Sequence, residues 1–106
     1  MKLLEKDIER GFVKEFKKTY PRAICLKMSL RGQWGWPDRM LVMPSGQILF
    51  IELKAPGVTR LSPTQAIIQE KLLSLRQKVL TTSSIVEAML FVNSWEAVAN
   101  KKVVAP

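Results

Sequence analysis

The sequence predicts an α/β domain in which a mixed β-sheet is flanked by helices, and three observations predict it. Apolar residues recur at helical spacing near the amino terminus and again after Ser62-Pro63. Short apolar runs of strand length lie between them, two joined by Pro44-Ser45-Gly46, a hairpin turn. The resulting order is helix, strand, hairpin, helix, strand, short helix, which a helix-covered sheet accommodates. At 106 residues the chain suits one domain, residues 1–106, with room for a single core.

The first helix is expected over Leu4 to Lys18, where Leu4, Ile8, Phe12, Val13 and Phe16 recur with charges between them. Gly11 weakens it by about 1 kcal/mol relative to Ala, and Tyr20-Pro21 ends it. Ala23 to Leu26 reads as a short strand, followed by a flexible loop, Ser29 to Trp36, carrying Arg31, Trp34 and Trp36. The tryptophans either cover the core or stack on a base or sugar; Trp36 is expected in the core and Trp34 exposed. Beyond the hairpin, Ser62 is an N-cap with Pro63 at the first helical position, and the second helix is expected to run to about Leu80. Ile85 to Val92 then reads as a fourth strand, although Glu87-Ala88-Met89 also suits a continuing helix. Asn93 or Ser94 would cap a last short helix, Trp95 to Asn100, with Glu96 in its first turn, where the dipole favours an acid.

The hairpin carries the chemistry. Side chains alternate along a strand, so Glu52 and Lys54 share a face while Leu53 points away. A three-residue loop Pro44-Ser45-Gly46 pairs Met43 with Gln47, and counting outward puts Asp38 opposite Glu52. Opposed residues have Cβ atoms roughly 4.5 to 5.5 Å apart, close enough for two carboxylates to share a divalent cation and repulsive without one. A two-residue Ser45-Gly46 loop would shift the register and send Asp38 to the wrong face.

Composition narrows the chemistry further. Seventeen Lys and Arg against nine Asp and Glu give a formal charge of +8, which favours a polyanion, nucleic acid ahead of an acidic membrane surface. No apolar run approaches the roughly 20 residues that span a bilayer, and the amino terminus turns acidic too early for a signal peptide, so a cytoplasmic location is expected. Cys25 has no disulfide partner and suits a small core position. The absence of histidine excludes His-based zinc sites and imidazole catalysis, leaving carboxylates, lysine and a hard metal.

Pro37-Asp38 followed by Glu52-Leu53-Lys54 resembles the signature of the PD-(D/E)xK nucleases, in the order αβββαβ of the restriction-endonuclease-like core. The flanks, Glu5-x-x-Ile8-Glu9, Gly35-x-Pro37-Asp38, Glu52-Leu53-Lys54-Ala55-Pro56-Gly57 and Ser62-Pro63-x-Gln65, are similar to the VRR-NUC branch, most of all its small stand-alone phage and bacterial members. The likeness extends from about Glu5 to Val98, and departs at Arg76 to Ser84, a long exit from the second helix with no glycine to end it. It implies that Asp38, Glu52 and the Leu53 backbone carbonyl bind Mg²⁺, with Mn²⁺ able to substitute. Lys54 would orient or help deprotonate the attacking water and offset developing charge. An acid of the first helix completes the site, Glu5 first and Glu9 as the alternative, and Gln65 resembles a family glutamine that contacts it. Taken alone, Glu5 and Glu9 read as surface acids, Gln65 as a surface amide, and Asp38, Glu52 and Lys54 as a salt-bridge cluster.

The function implied is a metal-dependent, structure-selective endodeoxyribonuclease on branched DNA, a Holliday-junction resolvase working as a homodimer, with Arg31, Trp34, Arg39 and Arg60 on the DNA. The alternatives are a restriction-like or repair nuclease acting on flaps or linear duplex, and a noncatalytic DNA-binding module.

Overall fold

The computed structural model describes residues 3–29 and 31–104; the expectations that touch Met1-Lys2 and Leu30 lie outside the described residues. The order is α1 (Glu5–Thr19), β1 (Ile24–Lys27), β2 (Arg39–Val42), β3 (Ile48–Leu53), α2 (Pro63–Ser74), β4 (Lys78–Thr82) and α3 (Ile85–Val104). Ile8, Phe12 and Phe16, four residues apart, form the buried stripe of α1. Its first turn is closed by Asp7, whose Oδ2 accepts the Leu4 amide at 2.8 Å.

The sheet runs β1-β2-β3-β4; the first three strands are antiparallel, and β4 joins β3 in parallel after the crossover through α2. The hairpin register follows the three-residue turn. The Met43 amide donates to Gln47 O at 2.9 Å, the Gly46 amide to Met43 O at 2.8 Å, and Gly46 sits at φ 95°. Arg39 pairs with Ile51, so one step outward sets Asp38 opposite Glu52. Leu41, Leu49, Ile51 and Leu53 alternate into one core with the buried faces of α1 and α3. The opposite face carries Phe50, against which Trp36 packs at a ring separation of 6.3 Å, and Glu52. Trp36 thus joins the packed face, while Trp34 is 78% exposed.

Three boundaries differ from the sequence-based expectation. The second helix stops at Ser74 rather than near Leu80, because the chain turns left-handed at Arg76 with φ 64°. The Gln77 amide donates to Leu72 O and the Arg76 amide to Leu73 O, at 2.9 and 3.0 Å, the hydrogen-bond pattern that glycine usually supports at a helix end. The fourth strand is therefore Lys78–Thr82, rich in β-branched residues, and occupies the stretch expected as a long exit from the second helix. Ile85 to Val92 is helix, not strand, and there is no separate short helix at Trp95. Ala88, Val92 and Glu96, four residues apart, are the buried stripe of one 20-residue α3, which Ser84 opens by accepting the Glu87 amide on its Oγ at 3.1 Å. An unbroken apolar run fits a buried strand and a buried helix equally well, and tertiary packing chose the helix.

Glu96 consequently does something other than face a helix dipole. It is 4% exposed, and its carboxylate accepts the Ser45 amide at 2.9 Å, the Ser45 hydroxyl at 2.6 Å and the Gln47 amide side chain at 2.9 Å. It pins to α3 the turn that sets the hairpin register. Glu96→Ala is expected to lower stability by about 2 kcal/mol, measured as a drop in the urea midpoint, because charge-assisted bonds to a buried carboxylate are lost together.

Candidate active site

Asp38, Glu52 and Lys54 reach one place because the hairpin register opposes the acids and the strand period puts Lys54 beside Glu52. The Asp38 carboxylate is fixed at the mouth of the hairpin by the Leu53 amide, which donates to its Oδ2 at 2.8 Å. Glu52 is 1% exposed. Its Oε2 accepts the Gln65 side-chain amide at 2.9 Å and lies 3.3 Å from Lys54 Nζ.

Gln65 is the hinge of this arrangement. Its Oε1 accepts both Lys54 Nζ at 2.8 Å and the Ser62 amide at 2.9 Å, so its Nε2 must turn toward the Glu52 carboxylate. The same residue completes the capping box at the start of α2, where Ser62 Oγ accepts the Gln65 amide at 3.2 Å. Cap and site contact are one structure rather than alternatives. Beneath it, Gln69 Nε2 donates to Thr81 Oγ1 at 2.7 Å, tying α2 to the β4 residue paired with Glu52.

Gly35 holds the start of α2 in place. It has φ 90°, and a Cβ there would lie 2.5 Å from Thr64 O and 3.0 Å from the Gln65 nitrogen. Gly35→Ala is expected to cost about 2 kcal/mol in the urea midpoint and to reduce turnover, since the helix start carrying Gln65 must retreat.

From α1, Glu5 joins the two hairpin acids: one oxygen each from Glu5, Asp38 and Glu52 lies within 4.8 Å of the others. Glu9, one turn further along, is instead bound to Arg39, with Oε2 2.9 Å from Nε and both side chains 17% exposed. Arg39 is thereby committed to an internal ion pair at the edge of the site. Arg31 and Trp34 line one surface groove of about 380 Å³ with Met28, Gln33, Gly35 and Trp36, and Arg60 is exposed on the β3–α2 connection. Cys25 is half-buried against the core, and burial pushes its thiol pKa up, the reverse of an activated nucleophile.

The electrostatics fit a hard divalent cation. Glu52 Oε1 is buried with no hydrogen-bond partner among the described residues, a costly state for a carboxylate oxygen. Burial and the neighbouring Asp38 push the Glu52 pKa up to about 7, against the pull of Lys54. Asp38 is raised as well, chiefly by desolvation, with Glu9 and Glu5 adding to it and the Leu53 amide opposing it. Three carboxylates gathered within 4.8 Å, one of them buried, concentrate negative charge, and oxygen-only donors suit Mg²⁺ or Mn²⁺.

The sequence reading missed a cluster of cations beside these acids: Lys6 and Arg10 of α1 and Lys27 of β1 line a cleft with Glu9 and Arg39. The four-residue spacing of Lys6 and Arg10 was the available signal; Lys27 joins them only through the strand pairing.

No family model matches the chain. A protein named "Putative nuclease p44", from Acyrthosiphon pisum secondary endosymbiont phage 1, is 35% identical over 85 residues, covering 79% of this chain and 88% of that protein. A solved structure described as a VRR_NUC domain matches with a TM-score of 0.72 at 24% identity, over 84% of this chain and 94% of that one, which is a likeness of fold.

Proposed function

Because this chain belongs to the VRR-NUC family of nucleases, we propose that it is a divalent-metal-dependent endodeoxyribonuclease acting on branched DNA, four-way junctions above all, as a homodimer. The observation that carries the metal-dependent reading is the convergence of Glu52, a buried acid with one oxygen unpartnered among the described residues, with Asp38 and Glu5 within 4.8 Å. Asp38, Glu52 and Glu5, with the Leu53 carbonyl as a further oxygen, would hold Mg²⁺, or Mn²⁺ in its place. The ion supplies activation of water and neutralisation of phosphate charge.

The chain's own residues do the rest. Lys54, held by Gln65 at 2.8 Å, keeps its ammonium beside the acids, where it offsets charge developing on the phosphate oxygens. Gln65 restrains Lys54 and Glu52 together, so neither side chain has to be reordered when substrate arrives. The net charge of +8 supplies phosphate contacts and a steep dependence of binding on salt. A homodimer would present two such sites for paired cuts in a junction.

Cleavage of junction, flap and linear duplex substrates is compared with Mg²⁺, Mn²⁺ and chelator, alongside Asp38→Ala. The expected result is metal-dependent cutting with the junction preferred, abolished by the substitution. Equal or better cutting of flaps or linear duplex would replace the branched-DNA assignment with a repair or restriction-like one. DNA binding that survives chelation without any product would remove the enzymatic reading.

A further inference from the structure

We infer that the cleft between α1 and the β1–β2 edge is a seat for an internal phosphate of the DNA strand, next to the cluster of acids. This rests on the DNA-cleaving reading above and names the surface on which the substrate backbone lies. The cleft, about 260 Å³, is lined by Lys6, Glu9, Arg10, Val13, Lys27 and Arg39. The only acid among them is Glu9, and it is taken up by Arg39 at 2.9 Å, which leaves the charges of Lys6, Arg10 and Lys27 without an opposing carboxylate in the lining.

The strand pairing sharpens the point. Lys27 and Arg39 are direct partners across β1 and β2, and like charges held opposite one another are destabilising. Glu9 relieves Arg39, while Lys6 and Arg10, four residues apart on α1, add positive charge at the same spot. A fold that accumulates this much cationic repulsion in one cleft is matched by an anion entering it, and a phosphate accepts from several such donors at once.

Position ties the cleft to the site. Asp38 and Arg39 are consecutive and point to opposite faces of the sheet, and α1 at the sheet edge is what bridges them. Glu5 and Glu9 stand one turn apart on α1, the first with the acids and the second with Arg39. A backbone crossing this edge therefore meets the acid cluster and the cationic cleft within neighbouring nucleotides.

The experiment measures DNA binding in chelator and cleavage with Mg²⁺ for Arg10→Gln, for Lys27→Gln and for Lys71→Gln, an exposed charge-matched control on α2. Both cleft variants are expected to raise Kd and KM about tenfold, with the loss in KM rather than kcat, and to flatten the slope of log K against log salt by about 0.9 per lost phosphate contact. Unchanged thermal midpoints certify that the variants fold. Strands with and without a 5′-phosphate should bind the cleft equally.

Kd and salt slope equal to those of Lys71→Gln, in a wild-type chain that cuts DNA, would overturn this inference and leave the nuclease reading intact. A dependence on the terminal phosphate would overturn it in favour of strand-end recognition. A wild-type chain that neither binds nor cuts DNA overturns the reading beneath it, and this inference with it.

Discussion

Glu52→Gln is expected to reduce cleavage by at least about 10³-fold while making the metal-free protein more stable. The two effects have one origin. Glu52 is almost fully buried, one of its oxygens has no partner among the described residues, and Asp38 and Glu5 stand within the same small space. That arrangement is unfavourable for folding and favourable for holding a divalent cation. Glutamine keeps the shape and an oxygen for the Gln65 amide, but removes the charge that repels Asp38 and would bind metal. The expected gain is about 1 kcal/mol in a urea titration with chelator, and stabilisation by Mn²⁺ should vanish. A variant that loses activity but is also less stable without metal would show that Glu52 is a structural acid, favourably placed in the resting fold.

A second expected result concerns pH. The Glu52 pKa is raised from 4.5 to about 7, so between those values the folded protein retains a proton that the unfolded chain has released. Stability of the metal-free protein then falls as pH rises through that window. The penalty is absent below about pH 4.5 and complete above about pH 7, and amounts to at most about 3 kcal/mol. Asp38, also raised, contributes with the same sign. Other carboxylates titrate in acid too, so the informative quantity is the wild-type stability minus that of Glu52→Gln, followed by urea unfolding in chelator from pH 4.5 to 8. Metal competes with the proton, so the Mg²⁺- or Mn²⁺-induced rise in Tm should grow with pH up to about 7, and cleavage with it. A wild-type-minus-variant difference that is flat with pH would contradict the raised pKa.

The parts of the site legible in the sequence were those held by local rules. Pro44-Ser45-Gly46 determines a three-residue turn, the turn determines the register, and the strand period then brings Asp38, Glu52 and Lys54 together. Ser62-Pro63 likewise announced a capped helix start. These follow from backbone geometry over a few residues, with no knowledge of what packs above them.

Where local rules were degenerate, the reading went astray. Val79 and Leu80 prolong the apolar spacing of the second helix as well as they begin a strand, and Arg76 is not a residue that announces a left-handed helix end. Once β4 takes the place beside β3, the chain from Ile85 must return over the core, and Ala88, Met89, Val92 and Glu96 find their shared face. Glu96 looked like a first-turn acid until the helix around it was 20 residues long.

By itself, then, the sequence determined the α/β class, the hairpin register, the capped start of the second helix and the basic charge, because each rests on contacts or counts local in the chain. Only the tertiary structure shows that Glu5 and Glu9, one turn apart on the same face of α1, stand among different neighbours. Arg39 from β2 takes Glu9, leaving Glu5 within 4.8 Å of the hairpin acids. That difference depends on a partner 30 residues away, and spacing along one helix carries no information about what stands opposite it.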